Sequence, residues 1–342
     1  MKIALMSKFP PEECGIGIYC SNLYEKLKKK ADVITIGTLK SKADYQLNFH
    51  DFTLKEQVKK IIEKEQVDLL HCQYIPPYYG TKFLNQNFVR LLSLDIPTVV
   101  TFHEVQYDKK GIKNKILRII ERQILKKANK VLVHSPLTKK YLTEKGFTNV
   151  EHMFMGVHLL DYNPKNNKFL LSFGIVSIEK GHPYLLEAMK SLPDHSLVIA
   201  GRPVEKTYGD ELNTKIKELD LKNVITDFGW ISEEAKDIYY RKASMLVLPY
   251  LWGPYTSAVI HDAISYTMPV VVTKVGAVWE IPETYKLGKV IKPENAEEIV
   301  KGIKDIQNNF SFYKDNIKNY RKLANWESVA SATLKIYEQL LK

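Results

Sequence analysis

The residues best suited to chemistry stand where short apolar segments give way to helices. The apolar segment Lys168–Phe173 is followed by Gly174, and the next loop carries Lys180 and Gly181 just before a helix that opens near His182. Free backbone N–H groups at a helix start attract phosphate, and a lysine there adds a full positive charge. On this local pattern alone, Lys180 can equally be a plain surface lysine.

A second stretch of the same kind lies further along the chain. A short strand predicted at Met245–Leu248 precedes a loop that ends in Thr256 and Ser257, and a helix predicted from Ala258 carries Asp262. This strand–loop–helix unit again places free N–H groups at a helix start. It therefore predicts a second anion-binding helix end in the same half of the chain.

The first half of the chain opens on a glycine-containing loop. A strand ends at Ser7, the loop FPPEECGIG follows, and a helix begins near Gly17. Gly15 and Gly17 permit a ligand to approach the backbone closely at that helix start. The loop lacks the third glycine of the G-x-G-x-x-G dinucleotide fingerprint. It is an anion-site candidate, with a tight turn at Gly15 as the alternative.

A histidine follows a buried strand of the first half. The predicted strand Thr98–Phe102 ends in His103 and Glu104. A side chain at the carboxyl end of a parallel strand points toward the ligand edge of the sheet, where a histidine can donate or accept a hydrogen bond. His103 and Glu104 are therefore candidates to contact a ligand, with a satisfied structural histidine as the alternative.

Aromatic residues follow a neighbouring strand. The strand predicted at Asp68–Cys72 is succeeded by Gln73 and Tyr74, and Tyr78 comes shortly afterwards. Aromatic rings at such a position either line a groove for an acceptor or pack the loop. Tyr74 and Tyr78 are taken as the acceptor-groove candidates.

No metal or disulfide framework is indicated. The three cysteines, Cys14, Cys20 and Cys72, are odd in number and form no C-x-x-C pair, and no Asp-x-Asp motif occurs. These features predict a reducing cytoplasmic setting and chemistry without a zinc site. The start of the chain, MKIALMSKFPPEE, has too short an apolar run for a signal peptide.

The elements that position these residues alternate between strand and helix from end to end. This alternation predicts mainly parallel sheets with helices on both faces, and 342 residues predict two domains. The polar segment from His158 to Lys168 separates two runs of alternation and is the predicted linker. The cleft between two such domains is the expected active site. The remaining strand candidates are Lys2–Ser7, Val33–Gly37, Lys130–His134, Val150–Phe154, Ser196–Ala200, Asn223–Asp227, Val270–Thr273 and Lys289–Ile291.

The net charge of +11 is concentrated in the first half. Residues 1–160 carry 26 Lys and Arg against 16 Asp and Glu, and residues 161–342 carry 24 against 23. Part of the excess lies from Lys109 to Lys130, where isoleucines at helical spacing alternate with basic residues. The segment predicts either a helix with one solvated face or a surface for anionic lipid or a polyanionic acceptor. Nucleic acid is disfavoured, because lysine dominates and no recognised binding motif is present.

Taken together, these motifs resemble the GT4 family of retaining glycosyltransferases. The loop FPPEECGIG is similar to the P-P-x-x-C-G-I-x loop that opens many GT4 enzymes, and the Lys180-Gly181 pair resembles their donor-diphosphate site. The stretch from Ser244 to Glu280 resembles their donor-sugar signature. LVIAGR and VITDFGWI resemble the strand ends that hold the nucleotide base, and NWESVASATLKIYEQLL resembles their closing helix. The resemblance covers essentially the whole chain.

The resemblance implies an α/β GT-B fold, in which two doubly wound Rossmann-like domains face each other across a cleft. Residues 1–160 would form the acceptor-side domain and residues 161–324 the nucleotide-sugar-binding domain. Residues 325–342 would form a helix that packs back on the first domain. The enzyme would be a retaining hexosyltransferase that needs no cofactor and no bound metal.

The resemblance also implies substrates and roles. GDP-mannose is the first expected donor and a UDP-sugar the next, with a glycan or lipid-linked acceptor and a possible site at the inner face of the membrane. The implied catalytic residues are His103 and Lys180, and the acceptor contacts are Tyr74, Tyr78 and Glu104. The implied donor contacts are Gly15, Gly17, Gly174, Lys180, Gly201, Arg202, Thr256, Ser257, Ala258 and Asp262.

The chain departs from the GT4 pattern at two positions. The arginine usual after the strand glycine is Ile175 here, and the first of two glutamates spaced eight apart is Pro254. The second glutamate falls on Asp262, which would hold the ribose, while the turn at Thr256–Val259 is similar to a variant that uses backbone N–H groups and small hydroxyls. These departures leave open a non-catalytic sugar-nucleotide-binding or glycan-binding homologue and a nucleotide-sugar epimerase of the same fold.

Overall fold

The computed structural model describes residues 1–79, 86–105, 112–253 and 257–342. The chain forms two compact units. The first contains Met1–Gly156 and Trp326–Lys342, and the second contains Val157–Asn325. The predicted linker from His158 to Lys168 falls at the start of the second unit.

A parallel sheet forms the core of the first unit. Its strands are nearly continuous apolar runs, as expected for strands that are covered on both faces. They are β1 (Lys2–Met6), β2 (Asp32–Thr38), β3 (Tyr45–Leu47), β4 (Leu69–Tyr74), β5 (Thr98–Phe102), β6 (Lys130–Val133) and β7 (Val150–His152). Their order in the sheet is β3-β2-β1-β4-β5-β6-β7. The short edge strand β3 escaped the sequence prediction, because it has three residues and no buried face.

Helices connect these strands. They are α1 (Gly15–Leu27), α2 (Leu54–Glu65), α3 (Gln86–Leu91), α4 (Ile112–Lys127) and α5 (Pro136–Glu144), with a 3-10 turn at Pro76–Tyr78. Ser135 caps α5 by accepting a hydrogen bond from the Thr138 amide, and a proline stands in the first turn. The basic helix predicted from Lys109 to Lys130 is α4, and its first predicted residues lie outside the described part of the chain.

The second unit repeats this architecture with its own sheet. Its strands are β8 (Phe169–Phe173), β9 (Ser196–Gly201), β10 (Val224–Phe228), β11 (Met245–Leu248), β12 (Val270–Thr273) and β13 (Gly288–Ile291). They are ordered β10-β9-β8-β11-β12-β13 and pair in parallel. The helices are α6 (His182–Lys190), α7 (Lys206–Glu218), α8 (Glu233–Lys242), α9 (Ala258–Ser265), α10 (Glu280–Thr284), α11 (Ala296–Asn308) and α12 (Phe310–Ala324), with a 3-10 turn at Ile178–Lys180.

The last helix, α13 (Trp326–Leu340), belongs to the first unit although it is far from it in sequence. Its apolar face packs with α1 and with the edge of the first sheet. Trp326 and Tyr337 are buried there beside Tyr19 and Leu23. The first unit is therefore built from both ends of the chain.

The strand orders place a switch point in each sheet. In the first unit the order reverses between β1 and β4, and in the second between β8 and β11. Ligands of doubly wound sheets bind outside the carboxyl ends of the strands at such a point. No helix of the described residues is both long and apolar enough to cross a membrane.

Candidate active site

In the second unit, the two loops predicted to bind phosphate meet at the switch point. The loop after β8 and the loop after β11 are joined by a backbone hydrogen bond from the Leu251 amide to the Glu179 carbonyl, at 2.8 Å. The adjacent strands bring together segments that are about 70 residues apart in the chain. The sequence predicted each loop separately, and the tertiary structure makes them one surface.

Lys180 belongs to the loop after β8 and contacts the loop after β11. It is the last residue of the 3-10 turn and only 8% exposed. Its Nζ lies 3.7 Å from the centroid of the Tyr250 ring, a cation–π contact with the loop after β11. Burial lowers the pKa of the Lys180 ammonium to about 8, and the nearby Glu179 carboxylate partly opposes this. Lys180 is a desolvated cation beside the predicted phosphate site.

Gly181 lets the chain turn from Lys180 into α6. Its φ is +68°, and a Cβ there would lie 2.0 Å from the Pro249 carbonyl oxygen. A side chain would clash with backbone that cannot move aside, so glycine is required for both conformation and space. The turn packs the Lys180 loop directly on the end of β11.

Two helix N-termini face the ligand edge of the second sheet. α6 begins at His182 with a proline in its first turn, and α9 begins at Ala258 after Ser257, whose side chain makes no capping hydrogen bond. Buried ring nitrogens accompany both: His182 Nδ1 and His261 Nε2 have no hydrogen-bond partner among the described residues. Burial lowers the pKa of each of these histidines to about 4. The predicted contact Thr256 lies outside the described residues, as does Pro254.

Asp262 lies on α9 and is engaged by a lysine that the sequence analysis did not single out. Its Oδ2 is 3.1 Å from Lys236 Nζ, and the Asp262 side chain remains about one-third exposed. Burial lowers the pKa of Lys236, but the carboxylates of Asp262 and Glu233 outweigh this and raise it. Asp262 is thus held as half of an ion pair, with surface left for a ligand hydroxyl.

Gly174 and Gly201 end adjacent strands and touch each other. A Cβ on Gly201 would lie 1.7 Å from the Gly174 carbonyl oxygen, and Gly201 has a φ of +142°. The pairing continues to Val176 and Pro203, so Ile175 and Arg202 occupy paired positions between them. Ile175 is 57% exposed and Arg202 is exposed. A guanidinium therefore stands one strand away from the position that Ile175 occupies.

A cavity of about 300 Å³ opens beside these strand ends. Backbone of the loops after β8 and β9 forms one wall, and α7 forms the other. Its polar lining residues are Ser177, Glu179, Glu205, Thr207, Tyr208 and Glu211. The lining offers hydrogen-bond acceptors in excess of donors.

In the first unit, the glycine-containing loop also meets the loop after the neighbouring strand at the switch point. Cys14 Sγ lies 2.6 Å from the Tyr78 hydroxyl, which links the loop after β1 to the turn after β4. α1 begins at Gly15, two residues earlier than predicted, and a Cβ on Gly15 would meet open space. Gly17 is tighter, because a Cβ there would lie 3.3 Å from the Lys8 carbonyl oxygen.

The predictions for Tyr74 and Tyr78 need correction. β4 extends to Tyr74 rather than ending at Cys72, so Tyr74 is a strand residue with no exposed surface, packed between Phe88 and Phe102. Tyr78 is 5% exposed, and the Lys8 ammonium covers its ring. Both rings support the sheet and its loops and do not line an open groove.

His103 lies at the carboxyl end of β5, as predicted, and is half-buried beside Glu104. Its Nε2 lies 2.7 Å from the Gln73 side-chain oxygen. The Tyr19 ring meets it edge-on at 4.9 Å, and the His134 ring lies 5.1 Å away. Burial lowers the pKa of His103 well below its usual value, so the ring is neutral.

Within the described residues no three His, Cys, Asp or Glu side chains are grouped as metal ligands would be. Cys14, Cys20 and Cys72 are free thiols. Among the residues that the structure describes, Lys180, Arg202 and the N-termini of α6 and α9 are suited to hold phosphate charge.

Family descriptions match the two halves of the chain. Glycosyltransferase Family 4 matches residues 14–159, and Glycosyl transferases group 1 matches residues 162–323. The chain belongs to the GT4-type glycosyltransferases. The uncharacterized glycosyltransferase MJ1607 of Methanocaldococcus jannaschii is 23% identical over 99% of this chain and 98% of its own length.

Solved structures agree with the fold of this glycosyltransferase. Sucrose-phosphate synthase from Thermosynechococcus elongatus matches with a TM-score of 0.78 and 21% identity, covering 99% of both chains. Anabaena HepE in complex with UDP matches with a TM-score of 0.76 and 15% identity, over 99% of this chain and all of its own. The GT-B expectation of two parallel-sheet Rossmann-like domains is confirmed.

Sequence reasoning missed several residues of the site. Tyr250 could have been found, because it directly follows β11 at the ligand edge. His71 and Gln73 gave a signal as alternating polar residues in the otherwise apolar strand LLHCQY, which places both on one face. Lys236 gave no such signal, because the sequence pattern of its helix predicts that a lysine there is exposed to solvent.

Proposed function

We propose that this glycosyltransferase moves a hexose from a nucleoside-diphosphate sugar, held by the second unit, to a hydroxyl of a glycan or lipid-linked acceptor held by the first. The transfer retains anomeric configuration and requires no resident metal. The observation that carries the proposal is Lys180, a buried cation on an aromatic face where two loops meet at the switch point of the second sheet.

The diphosphate is the leaving group, and its growing negative charge is what the site must stabilise. Lys180 and the N-termini of α6 and α9 supply positive potential where that charge develops. Arg202 supplies the second cation, because it stands at the position paired with Ile175. Here an arginine one strand away takes the place of the arginine expected at Ile175.

The reaction exchanges one bond at the sugar for another. The bond between the anomeric carbon and the diphosphate oxygen breaks, and the acceptor oxygen forms a bond to that carbon on the same face. The acceptor proton passes to the departing phosphate oxygen. His103, neutral and at the end of β5, contacts the sugar or acceptor hydroxyls as a hydrogen-bonding partner.

GDP-mannose is the first proposed donor and a UDP-sugar the second. The cavity beside the strand ends is lined by the carboxylates of Glu179, Glu205 and Glu211, which only accept hydrogen bonds. Guanine presents imino and amino donors side by side, whereas uracil presents one imino donor. The HepE complexes with UDP and UDP-glucose make UDP-glucose the matched probe for the second donor.

A thermal-shift screen against GDP, UDP, ADP, GDP-mannose and UDP-glucose tests the donor. A ligand that binds only the folded chain stabilises it by about 2.7 kcal/mol at a hundredfold excess over Kd. The largest shift is expected with GDP and GDP-mannose. A larger shift with UDP and UDP-glucose would reverse the order of donors, and no shift with any of them would overturn the proposed donor class.

Metal independence is tested by chelation. Sugar-nucleotide turnover is expected to be unchanged by EDTA, because cationic side chains and helix ends serve the diphosphate. Loss of turnover in EDTA that Mg²⁺ or Mn²⁺ restores would contradict this.

A non-catalytic sugar-nucleotide-binding or glycan-binding homologue is the second candidate. It is favoured by Ile175, whose exposed apolar side chain stands where the GT4 pattern has an arginine. Hydrolysis of GDP-mannose or UDP-glucose above the rate of the Lys180→Ala variant would rule it out.

A further inference from the structure

A chain of hydrogen-bonded polar side chains runs through the core of the first unit from α13 to His103. The Tyr337 hydroxyl lies 2.5 Å from His71 Nδ1, and His71 Nε2 lies 2.8 Å from the Thr101 hydroxyl and 3.2 Å from Gln73 Nε2. The Gln73 oxygen then meets His103 Nε2 at 2.7 Å. All of these residues except His103 are buried without exposed surface.

With the Gln73 side-chain oxygen toward His103 and its nitrogen toward His71, the hydrogen bonds of this chain run in one direction. An amide oxygen only accepts, so His103 Nε2 carries the proton that is donated to Gln73. The Gln73 amide nitrogen only donates, so His71 Nε2 accepts from it. The proton of His71 is then on Nδ1 and is donated to the Tyr337 oxygen. Each member fixes the tautomer or the orientation of the next.

Three side chains from neighbouring elements contact the His103 ring. Tyr19 on α1 and His134 after β6 contact its ring, and Gln73 on β4 accepts its proton. Burial lowers the pKa of His71 to about 3, so this ring too is neutral. The chain therefore transmits orientation and contributes no net charge.

Burying such a chain of polar groups costs folding free energy. Each polar group in the core loses its hydrogen bonds to water and must replace them with hydrogen bonds to protein groups. Apolar side chains on β4 would fill the same space at a lower free-energy cost. The buried groups lead to a single half-exposed side chain, His103, at the ligand edge of the sheet. The stability of the fold alone does not explain a buried polar network that ends at His103 in the predicted site.

We propose that Gln73 is a positioning residue that holds His103 as its Nε2–H tautomer and leaves Nδ1 as a hydrogen-bond acceptor for a hydroxyl of the bound sugar or acceptor. The role in transfer rests on the proposed function, but the tautomer does not. Tyr337 and Thr101 hold the His71 ring, which contacts the Gln73 amide nitrogen, while the Gln73 oxygen faces His103.

The tautomer is tested by NMR on the full chain labelled with ¹⁵N-histidine. Two-bond ¹H–¹⁵N couplings distinguish the protonated from the unprotonated ring nitrogen, and the signals missing in His103→Asn assign the residue. The wild type is expected to show His103 protonated at Nε2 alone. Gln73→Leu is expected to give a mixture of tautomers, while the exposed Gln123→Leu control leaves His103 unchanged. A wild-type ring protonated at Nδ1, or an unchanged tautomer in Gln73→Leu, would overturn the proposal.

Gln73→Glu covers the case in which the leucine variant does not fold. The glutamate has the size of glutamine and still offers an oxygen to accept the hydrogen bond, so the His103 Nε2–H is retained. The negative charge of the carboxylate raises the pKa of His103. The ring is then expected to titrate at a higher pH than in the wild type. A His103 that titrates as in the wild type would show that Gln73 and His103 are not hydrogen-bonded and would overturn the proposal.

The role in transfer is tested by measuring the hydrolysis of GDP-mannose and of UDP-glucose. Gln73→Leu is expected to lower kcat by about 10²-fold, as misplacement of a reacting geometry does, with KM little changed. Wild-type kcat in a variant with mixed tautomers would refute the role in transfer. A wild-type chain that turns over neither probe would count against the proposed function alone, because the NMR result decides the tautomer.

Discussion

Lys180 shows how burial turns an ordinary residue into a reactive one. A lysine ammonium has a pKa near 10.4 in water, and burial beside Tyr250 brings that of Lys180 to about 8. The Lys180 amine is therefore held in place and loses part of its protonation at mildly alkaline pH. In such a buried setting a phosphate proposed to bind Lys180 would interact with it more strongly than in water.

The pH dependence of the enzyme follows from this pKa. The kcat/KM profile reports the free enzyme, so it is expected to fall as pH rises through about 8 and Lys180 loses its proton. The free energy of unfolding should change with pH in the opposite direction. The folded chain binds this proton less tightly than the unfolded chain, so the lysine's contribution to unfolding free energy rises with pH between about 8 and 10.4. A kcat/KM that stays flat from pH 7 to 9.5 would contradict the assignment.

The Lys180→Ala variant tests the same residue by removal. Loss of a cation aimed at leaving-group charge is expected to lower kcat/KM by about 10²-fold or more. The matched control is Lys190→Ala, at the other end of α6, which removes an exposed lysine and should leave kcat/KM unchanged. Equal kinetics in the two variants would remove Lys180 from the site.

Asp262 is expected to hold the ribose of the nucleotide. Asp262→Ala should then weaken binding of the bare nucleotide as much as that of the sugar nucleotide, measured by calorimetry. The companion variant Lys236→Met removes the ion-pair partner at 3.1 Å and should weaken both ligands in the same proportion. A loss confined to the sugar nucleotide would place Asp262 at the sugar instead.

Among the elements, α4 is the candidate docking surface. Lys115, Arg118, Ile119 and Arg122 line a shallow cavity of about 240 Å³ on one stretch of the helix, and Ile119 is half-exposed. Basic side chains around an exposed apolar one suit a surface of anionic lipid, which is the setting of a lipid-linked acceptor. The buried face of the helix, with Ile120 and Ile124, belongs to the core.

The membrane contact is tested by co-sedimentation with liposomes of mixed neutral and anionic lipid. The wild type should bind at low salt and release as salt rises, since each basic residue near the surface is worth about 1 kcal/mol before screening. Changing Lys115, Arg118 and Arg122 to Glu should abolish binding and leave nucleotide binding intact. The control triple Lys29, Lys59 and Lys60 to Glu makes the same charge change elsewhere in the unit. Loss of binding in both triples alike would make the effect one of net charge, and α4 would not be the docking surface.

At the scale of the whole molecule, the C-terminal helix of the chain belongs to the same unit as its N-terminal half. Gly156 ends the first segment of that unit and Trp326 begins the last, and a Cβ on Gly156 would lie 2.3 Å from the indole ring. The closing helix buries Trp326 and Tyr337 against α1. Tyr337 also begins the hydrogen-bonded chain to His103, so this helix supports both the core and the predicted site.

Gly156→Ala tests this closure. The added methyl must displace the Trp326 ring, and such overpacking costs about 1–3 kcal/mol of unfolding free energy. Urea or thermal unfolding should show the loss. Gly15→Ala is the control, because a Cβ there meets nothing within 4 Å and its stability should be unchanged. Equal unfolding midpoints for the two variants would show that the Gly156–Trp326 contact is not tight in solution.

Local sequence patterns predicted the architecture and the loops that carry the candidate site. Strand–helix alternation, apolar strands such as Thr98–Phe102, and glycine or lysine at helix starts are local patterns. They predicted the two sheets, and they placed His103 at a strand end and Lys180 in a loop just before a helix. Which side chains these residues contact depends on how the whole chain folds. The contact of Lys180 with Tyr250, the pair of Asp262 with Lys236, and the burial of Tyr74 each depend on which strands and helices become neighbours. Such neighbours are far apart in sequence and are selected by the packing of the whole sheet, which no local pattern records.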